Sequence, residues 1–400
     1  MGAAAHVPSP FELPDALALI NESIEAAIAE RASDIHFDAQ DDCVVVRRRV
    51  DGRVWETHRL PQELGQSVVR RLKMMAGLAS AERQIPQTGS VAVDVGDRPV
   101  HLRCTVIPTV YGEHVALRFV AAEERPQPLP ELGLAPEAEE TLAVVLAQRS
   151  GLVLVVGPPG SGKTTTAYAL LERLNTPMDI LMTLEDPVER TLSGVDHIAV
   201  NGAGRPTFAQ AQHAVLRAAP DVLLIGEIRD DETARAAVEA ALSGVLVITT
   251  MLATDAPSSI ARLAELGVDR DLIANVVHCV VAQRLVRTLC TECRDDYAAD
   301  EDVRALVGGS AGAVVPLRLY RKRGCPHCRQ TGYVGRAAAF EVMPVDDDMR
   351  EVVRTGTTAD IAAAAGRQGM PLMVRNAMAL VRSGATSLEE ALDAVSDLLG

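Results

Sequence analysis

The sequence is poor in aromatic residues and has no long apolar run. Phe, Trp and Tyr make up only 3% of the 400 residues, while hydrophobic residues together make up 48%, so Ala, Val and Leu must fill the core. The longest apolar stretches, near residues 151–156 and 244–248, are well short of the about 18 residues that cross a membrane. We therefore expect them to be buried strands, and any membrane role to be peripheral, through a partner.

Basic residues are also in the minority. The chain carries 39 Lys and Arg against 54 Asp and Glu, a formal net charge of −15. An acidic protein does not attract a polyphosphate backbone through its overall field, which argues against nucleic acid as a partner. Local basic runs at residues 47–49 and 321–323 are possible contacts, although a solvated face is the simpler interpretation. The start of the chain lacks the basic and apolar regions of a secretory signal, so we expect a cytoplasmic protein.

Seven cysteines, an odd number without a secretory signal, favour a reducing compartment. Four of them form the pairs CTEC, at residues 290–293, and CPHC, at residues 325–328. Each pair can place two thiolates on one ion, and two pairs complete a closed tetrahedron. The sequence therefore predicts a structural zinc site formed by Cys290, Cys293, Cys325 and Cys328. Reduced, unliganded cysteines are the alternative, and a disulfide is less expected.

Changes in pattern along the chain predict an α/β protein with two main domains. Pro126, Pro128 and Pro130 alternate, which favours an extended, semi-rigid connection between the domains. After this linker, predicted strands alternate with helices, which implies a mostly parallel sheet; from residue 256 we expect helices. The predicted segments are a flexible N-terminus at 1–13, an α+β domain at 14–120, the linker at 121–136, an α/β core at 137–289, a tetracysteine metal-binding insertion at 290–336 and a C-terminal helical region at 337–400.

The strongest motif is a phosphate-binding turn. Residues 157–165 read GPPGSGKTT, which fits GxxxxGK[ST], and they lie between a predicted strand at Gly151–Val156 and a predicted helix at Lys163–Leu174. Glycines allow backbone N–H groups to converge on a phosphate, and the helix N-terminus favours the same anion. In such a turn Lys163 reaches the terminal phosphates and Thr164 ligates Mg²⁺, so we predict an ATP site. The predicted binding residues are Gly157, Pro158, Pro159, Gly160, Ser161, Gly162, Lys163, Thr164 and Thr165.

Two carboxylates are predicted to face this turn. An apolar run at residues 221–226 ends in Glu227, which is placed to orient or deprotonate an attacking water. A second predicted strand, residues 179–184, runs into Glu185. The carboxyl ends of parallel strands share one edge of a sheet, so both acids are catalytic candidates together with Lys163. Taken alone, each acid would more often be a helix cap or a solvated side chain.

Several motifs occur together and in order along the chain. They are ASDIH at 32–36, GPPGSGKTTT at 157–166, TLEDPVE at 183–189, GEIRD at 226–230, AQRLVRTLC at 282–290 and GYVGR at 332–336. In this combination they resemble the type II secretion and type IV pilus assembly ATPase family over about residues 14–400. The four-cysteine pattern is similar to the assembly and secretion branch of that family.

The resemblance implies a RecA-like ATPase domain and a smaller, PAS-like N-terminal α+β domain, with ATP bound between them. It implies a homo-hexameric ring, cytoplasmic and peripheral to the inner membrane, which hydrolyses ATP to drive assembly of a pseudopilus or pilus. Inner-membrane platform and docking proteins are the implied partners. Arg103 and Arg118 keep family-like positions in the N-terminal domain and are catalytic candidates, which could partly substitute for an arginine that the family has at position 90. The separate docking domain of many members is expected to be absent or truncated.

Three departures from the family pattern bear on catalysis. RQIPQTGS at 83–90 places Ser90 where the family has an arginine, and Ser cannot supply a charged, bidentate fork. Val245 and Leu252 stand where the family has two histidines, and LRAAPD at 216–221 replaces LRQDPD. We expect nucleotide binding to survive and hydrolysis to be slow. A catalytically weakened paralogue with a structural or regulatory role is therefore an open alternative, and a motor acting on nucleic acid is a distant third.

Overall fold

The computed structural model describes residues 16–96, 98–120, 127–201, 204–308 and 317–398. The chain divides into two compact units, Met1–Glu124 and Arg125–Gly400, and each is described by itself. The predicted flexible N-terminus at 1–13 and the first six residues of the predicted linker lie outside the described residues. Within the described part of the chain, no helix has the length and apolar character needed to span a bilayer.

The described residues of the first unit form an antiparallel six-stranded sheet and two helices. Its strands stand in the order β3-β2-β1-β6-β5-β4. In chain order its elements are α1 (Ala16–Ala29), β1 (Ala32–Ala39), β2 (Cys43–Val50), β3 (Arg53–Pro61), α2 (Gln62–Met75), β4 (Gln87–Val95), β5 (Arg98–Thr109) and β6 (Gly112–Val120).

Alternation along the strands gives this sheet an apolar face and a polar face. Ile35 and Phe37 of β1 are fully buried and belong to one core with Ile20 and Ile24 of α1. Side chains along a strand point alternately to the two faces, so Asp34 lies on the face opposite this core. Asp34 and His36 of the ASDIH motif therefore share the face that the helices do not cover.

The second unit is built on a seven-stranded sheet in the order β15-β12-β7-β11-β10-β8-β9. Its strands are β7 (Gly151–Val156), β8 (Leu181–Glu185), β9 (Val195–Ala199), β10 (Val222–Ile228), β11 (Leu246–Met251), β12 (Val277–Leu289) and β15 (Tyr333–Pro344), with β13 (Asp295–Ala298) and β14 (Arg318–Arg321) forming a separate two-stranded sheet. Neighbouring strands from β12 to β9 pair in parallel, and β15 pairs with β12 in antiparallel fashion.

β7 and β11 are buried along their whole length, because helices pack on both faces of this sheet. The helices of the second unit are α3 (Pro136–Leu146), α4 (Lys163–Leu174), α5 (Phe208–Arg217), α6 (Asp231–Leu242), α7 (Ala256–Glu265), α8 (Arg270–Val276), α9 (Glu301–Leu306), α10 (Asp347–Thr355), α11 (Thr358–Arg367), α12 (Met373–Arg382) and α13 (Leu388–Val395), with short 3-10 turns at Leu129–Leu132 and Ser396–Leu398.

Two long strands differ from the sequence-based expectation. The sequence predicts helices from residue 256 and a helical region at 337–400, but residues 277–289 form β12 and residues 333–344 form β15. The C-terminal region is helical from Asp347 onward. β12 lies between β7 and β15, and most of its residues are buried. A strand buried on both faces shows no apolar–polar alternation, so its sequence cannot be told from a buried helix by periodicity.

Candidate functional site: a phosphate-binding turn and a tetracysteine centre

The predicted phosphate-binding turn joins the central strand β7 to α4. Gly157, Gly160 and Gly162 have φ values of 153°, 77° and 89°. A Cβ on Gly157 would lie 2.4 Å from the backbone carbonyl oxygen of Gln283, so a side chain cannot be accommodated there without a backbone shift. The shape of the turn therefore depends on glycine where the motif has it.

The N-terminus of α4 opens onto the turn. Gly162 is the N-cap residue and supplies no side-chain cap, and the Thr166 amide bonds back to the Gly162 carbonyl oxygen at 3.2 Å. The amides of residues 163–165 precede this first intrahelical bond, so they point out of the helix end. Thr164 and Thr165 are half-buried there. Orphan amides together with the helix dipole make this end suited to an anion.

Lys163 is folded onto the carbonyl groups of its own turn. Its Nζ donates to the carbonyl oxygens of Gly157 at 3.0 Å and Pro158 at 3.1 Å, and the residue is 9% exposed. Burial lowers the pKa of Lys163, while the negative charges of Glu227 and Glu189 act in the opposite direction. The ammonium group is thus a buried cation at the turn, held by neutral carbonyls and near two carboxylates.

Glu227 lies at a β-bulge near the carboxyl end of β10. The pairing of β10 with β11 shifts register between Ile225 and Ile228, and Thr250 of β11 donates its hydroxyl to the Gly226 carbonyl oxygen at 2.8 Å. Bulges beside active sites re-aim side chains, and Glu227 lies close enough to Lys163 for its negative charge to oppose the lowering of the lysine pKa by burial. The Nε of Arg229 donates to Glu227 Oε2 at 2.6 Å, so that oxygen is already paired.

Glu185 ends β8 in a buried polar network. The Tyr168 hydroxyl of α4 lies 3.0 Å from Oε1 and 2.8 Å from Oε2, and Nδ1 of His197 is 3.5 Å from Oε1. The Leu192 amide donates to Nε2 of His197 at 2.9 Å, which assigns the ring proton to Nδ1. Nδ1 also lies 3.0 Å from Oγ1 of Thr183. The carboxylate of Glu185 is therefore held chiefly by Tyr168 of α4, with His197 of β9 at a longer distance, and its catalytic role stays a prediction.

Two residues that we did not single out from the sequence belong to this region. The negative charge of Glu189 opposes the lowering of the Lys163 pKa by burial. Glu189 lies in the TLEDPVE motif, so the sequence contained a signal for it. Gln283 of β12 donates its Nε2 to the Ser161 carbonyl oxygen at 2.6 Å, across 122 residues of sequence. Gln283 lies in the AQRLVRTLC motif, but no local spacing could reveal its contact with Ser161, because that contact depends on β12 lying beside β7.

The N-terminal residues implied by the family resemblance lie side by side in the first unit. Ser90 of β4 is directly opposite Arg103 of β5, and Arg103 is directly opposite Arg118 of β6. The Nε of Arg118 donates to Oδ1 of Asp34 at 2.8 Å, where Asp34 is 3% exposed and the Arg118 side chain is 68% exposed. The row lies on the face opposite the apolar core. The part of Arg103 and Arg118 in catalysis stays a prediction.

The four cysteines of the two CxxC pairs come together. Their Sγ atoms all lie within 4.8 Å of one another, and three of the pairs are separated by 3.7 to 3.9 Å. Four thiolates at about 2.3 Å around one zinc ion would stand about 3.8 Å apart, so the spacing fits a tetrahedral site. This group, Cys290, Cys293, Cys325 and Cys328, could therefore hold a metal ion.

Backbone amides support negative charge on these sulfurs. The amides of Cys325 and Gly332 each donate to Cys328 Sγ at 3.2 Å, and the Gly324 amide donates to Cys293 Sγ at 3.3 Å. Burial raises the pKa of Cys328, but the amides of Cys325 and Gly332, together with the thiols of Cys293 and Cys325, outweigh it and lower that pKa to about 6. Burial raises the pKa of Cys293 to about 12, so Cys328 is the thiol of this pair that deprotonates first. Thiolate is the form that ligates metals, so the donor set suits a closed structural site.

Comparison with known proteins gives the family. Residues 15–393 match the family described as Type II/IV secretion system protein. The type IV pilus assembly ATPase PilB of Thermus thermophilus is 38% identical over 98% of this chain, which spans 44% of that protein. The type II secretion system protein HxcR of Pseudomonas aeruginosa is 41% identical, with coverage of 95% of this chain and 77% of the relative. The type II secretion system ATPase E of Vibrio cholerae is 37% identical, with coverage of 94% and 74%.

Solved structures show the same fold at lower identity. The ATPase DotB of Legionella pneumophila superposes with a TM-score of 0.70 at 18% identity, covering 98% of each chain. The pilus retraction motor PilT superposes with a TM-score of 0.62 at 24% identity, covering 94% of this chain and 96% of that one. The predicted RecA-like fold class is thereby confirmed.

The matches also confirm the family that the motifs predicted. Relatives that share most of this chain are named as ATPases of type II secretion or type IV pilus assembly, in agreement with an ATP-driven motor. The alternative of a weakened paralogue is not favoured, and slow turnover stays a prediction. The chain therefore belongs to the type II/IV secretion system protein family, as the family match and the similar relatives show. Members of this family include secretion and pilus ATPases.

Proposed function

We propose that this chain binds ATP with Mg²⁺ at the turn of residues 157–165 and hydrolyses it to drive assembly of a pseudopilus or pilus. The observation that carries the proposal is the position of Lys163, which is a buried ammonium at a helix N-terminus, within the field of Glu227 and Glu189. A terminal phosphate can replace the two carbonyl oxygens that Lys163 now contacts, because a charge-assisted bond to an anion is stronger than one to a neutral carbonyl.

Each residue of the site has a part in this scheme. The amides of residues 163–165 and the Lys163 ammonium hold the phosphates, and Thr164 supplies a hydroxyl to Mg²⁺, which neutralises phosphate charge. Glu227 orients the attacking water through the carboxylate oxygen that does not accept from Arg229. Glu185 contributes a fixed negative charge at the same edge of the sheet. Arg103 and Arg118 are proposed to stabilise charge on the transferring phosphate.

The proposed partners follow from the family. We expect a homo-hexamer, working against inner-membrane platform and docking proteins from the cytoplasmic side, with no nucleic acid in its cycle. The names of the relatives, which refer to secretion systems and pilus assembly, support this assignment. The formal charge of −15 supports the exclusion of nucleic acid as a substrate.

We propose zinc as the ion of the tetracysteine centre, in a structural role. The four thiolates leave no position for a water or a substrate, and catalytic zinc sites keep such a position. The centre closes a segment that includes the small sheet of β13 and β14, which contributes little core of its own. Zinc would therefore hold this segment to the ends of β12 and β15.

An ATPase assay with matched variants tests the proposed activity. Lys163→Ala should abolish nucleotide binding, whereas Glu227→Gln should keep binding and lose hydrolysis, because the amide cannot act on water as a carboxylate does. Lys322→Ala and Glu239→Gln are controls of the same residue types at exposed positions. Both controls should hydrolyse ATP at the wild-type rate.

The outcomes separate the two interpretations of the family member. Slow Mg²⁺-dependent release of phosphate by the wild type, lost in Glu227→Gln, supports a working motor. Tight ATP binding with phosphate release no faster than in Glu227→Gln would show a nucleotide-binding paralogue instead. Equal phosphate release by the wild type, Lys163→Ala and Glu227→Gln would reject the site.

A further inference from the structure

Gln283 is a buried polar side chain of β12 that the scheme above does not use. It is 1% exposed, and its Nε2 donates to the backbone carbonyl oxygen of Ser161 at 2.6 Å. Ser161 is the residue between Gly160 and Gly162 in the phosphate-binding turn. A carbonyl cannot donate to a carbonyl, so this contact fixes the orientation of the amide, with its NH₂ group toward the turn.

The turn and Gln283 pack so closely that the two glycines facing Gln283 leave little or no room for a side chain. A Cβ on Gly157 would stand 2.4 Å from the Gln283 backbone oxygen, and a Cβ on Gly162 would stand 3.0 Å from Gln283 Nε2. Residue 282 is the last partner of β7 in the β12 ladder, opposite Val156. Gln283 is therefore the first residue of β12 beyond the end of β7, at the point where the phosphate-binding turn leaves the sheet.

Two polar atoms at this contact have no hydrogen-bond partner among the described residues. They are Oε1 of Gln283 and Oγ of Ser161, and both are shielded from solvent. A buried polar atom without a partner costs free energy, so folded proteins keep few of them, and a role in catalysis or ligand binding is one reason to keep one. Their presence at the phosphate-binding turn indicates an arrangement held for ligand binding.

We propose that Gln283 is a positioning residue that holds the phosphate-binding turn in its anion-accepting shape before nucleotide arrives. The inference rests on the proposed function, because it concerns the same nucleotide site. The Nε2 bond to Ser161 ties the middle of the turn to β12, so the amides of residues 163–165 keep one orientation. Without that bond the turn samples other shapes, and apparent affinity falls with the fraction that remains competent.

The test compares the affinity for ADP with Mg²⁺ in variants of the full chain, by isothermal titration calorimetry. Gln283→Met keeps the length and removes the donor, and a lost buried hydrogen bond predicts roughly five- to fiftyfold weaker binding. Gln283→Glu places a second acceptor against the Ser161 carbonyl and should weaken binding further. Hydrolysis of bound ATP should change by less than about threefold, because Gln283 is proposed to prepare the turn rather than the chemical step.

Gln212 offers a matched control within the same unit. It is 6% exposed, and its Nε2 donates to the Ala236 carbonyl oxygen at 3.4 Å, between α5 and α6. Gln212→Met should lower the melting temperature and leave the affinity for ADP unchanged. If Gln283→Met does not fold, Gln283→Asn takes its place, because the shorter amide cannot reach Ser161 and fits without overpacking.

The results distinguish this inference from the function on which it rests. If the wild type binds ADP and the Gln283 variants bind it equally well, the positioning role is rejected while the nucleotide site stands. A lower melting temperature with unchanged affinity for ADP, as expected for Gln212→Met, would likewise show that the role of Gln283 is purely structural. If the folded wild type does not bind ADP at all, the proposed function itself fails.

Discussion

Removing one hydroxyl group, in Tyr168→Phe, tests whether the buried network around Glu185 is as the structure describes. Tyr168 is fully buried, and its hydroxyl oxygen lies within 3.0 Å of both carboxylate oxygens of Glu185. The same oxygen lies 2.9 Å from the Arg190 carbonyl oxygen. Phenylalanine keeps the ring and its packing and removes only this polar atom.

The magnitude follows from the charge of the acceptor. A hydrogen bond to a charged group contributes about 1.5–3 kcal/mol to stability, against about 1 kcal/mol for a bond between neutral groups. Glu185 is 4% exposed, so water cannot readily replace the lost donor, and His197 at 3.5 Å is too distant to do so. We expect Tyr168→Phe to lower the free energy of unfolding of the second unit by about 2 kcal/mol.

The assay is urea unfolding beside a neutral control. Tyr333 is also buried in the second unit, and its hydroxyl lies 2.6 Å from the hydroxyl of Ser387. Tyr333→Phe removes a bond between neutral groups, so it should cost about 1 kcal/mol, roughly half as much as Tyr168→Phe. Both variants report the same unfolding transition, which makes their difference more reliable than either value alone.

Catalysis gives the second readout of Tyr168→Phe. If the placement of Glu185 matters for hydrolysis, kcat should fall while the affinity for ADP stays within about twofold of the wild type. A change in unfolding free energy no larger than that of Tyr333→Phe would refute the charged network. Unchanged kcat at reduced stability would show that Glu185 is structural and has no part in the reaction.

Three further predictions concern other parts of the chain. Ser90→Arg places a guanidinium directly opposite Arg103, so the free energy of unfolding of the first unit should fall by about 0.5 kcal/mol at low salt and recover at high salt. An effect that does not depend on salt would contradict the pairing of residues 90 and 103. Metal analysis should find one zinc per chain, which is lost in Cys328→Ser and kept in Cys43→Ser. Zinc retained by Cys328→Ser would show that Cys328 is not a ligand. Burial lowers the pKa of Lys163 below its usual 10.5, and only the ammonium form pairs with phosphate. The affinity for ADP should therefore decrease as the pH rises through this lowered pKa. Binding in that pH range should take up protons, which calorimetry in two buffers can measure.

The phosphate-binding turn could be predicted from the sequence nearly to the residue. The strand at Gly151–Val156 and the helix at Lys163–Leu174 have the predicted bounds. This success has a local cause. A buried six-residue strand, a glycine-rich turn and a helix N-terminus are each specified by adjacent residues, so one window of sequence carries the whole geometry. The tetracysteine group is similar, because two short pairs are enough to define it.

The surroundings of the turn could not be predicted in the same way. Gln283 reaches Ser161 only because β12 lies beside β7, and β12 itself falls in the stretch from residue 256 that was expected to be helical. Glu185 was expected to face the phosphate, and its contacts with Tyr168 and His197 depend on how α4 and β9 pack. Long-range pairing determines both, and a single sequence without the fold carries no signal for it.

Departures from the family pattern have a partial structural account. Ser90 lies beside Arg103, so the arginine that the family has there would have a like-charged neighbour in this chain. Arg118 is anchored by Asp34, which fixes one nitrogen and leaves most of the side chain exposed. The sequence identified these positions through the family, and the structure adds that they form one row on neighbouring strands.

Calorimetric titration of the folded chain with ADP and Mg²⁺ tests the central claim most directly, since the claim is that the turn ending in Lys163 holds the terminal phosphates of a nucleotide. The account predicts one binding site per chain in the wild type and in Lys322→Ala, and none in Lys163→Ala. A folded wild type with no measurable affinity for ADP, or a Lys163→Ala variant that binds it as tightly as the wild type, would contradict the account.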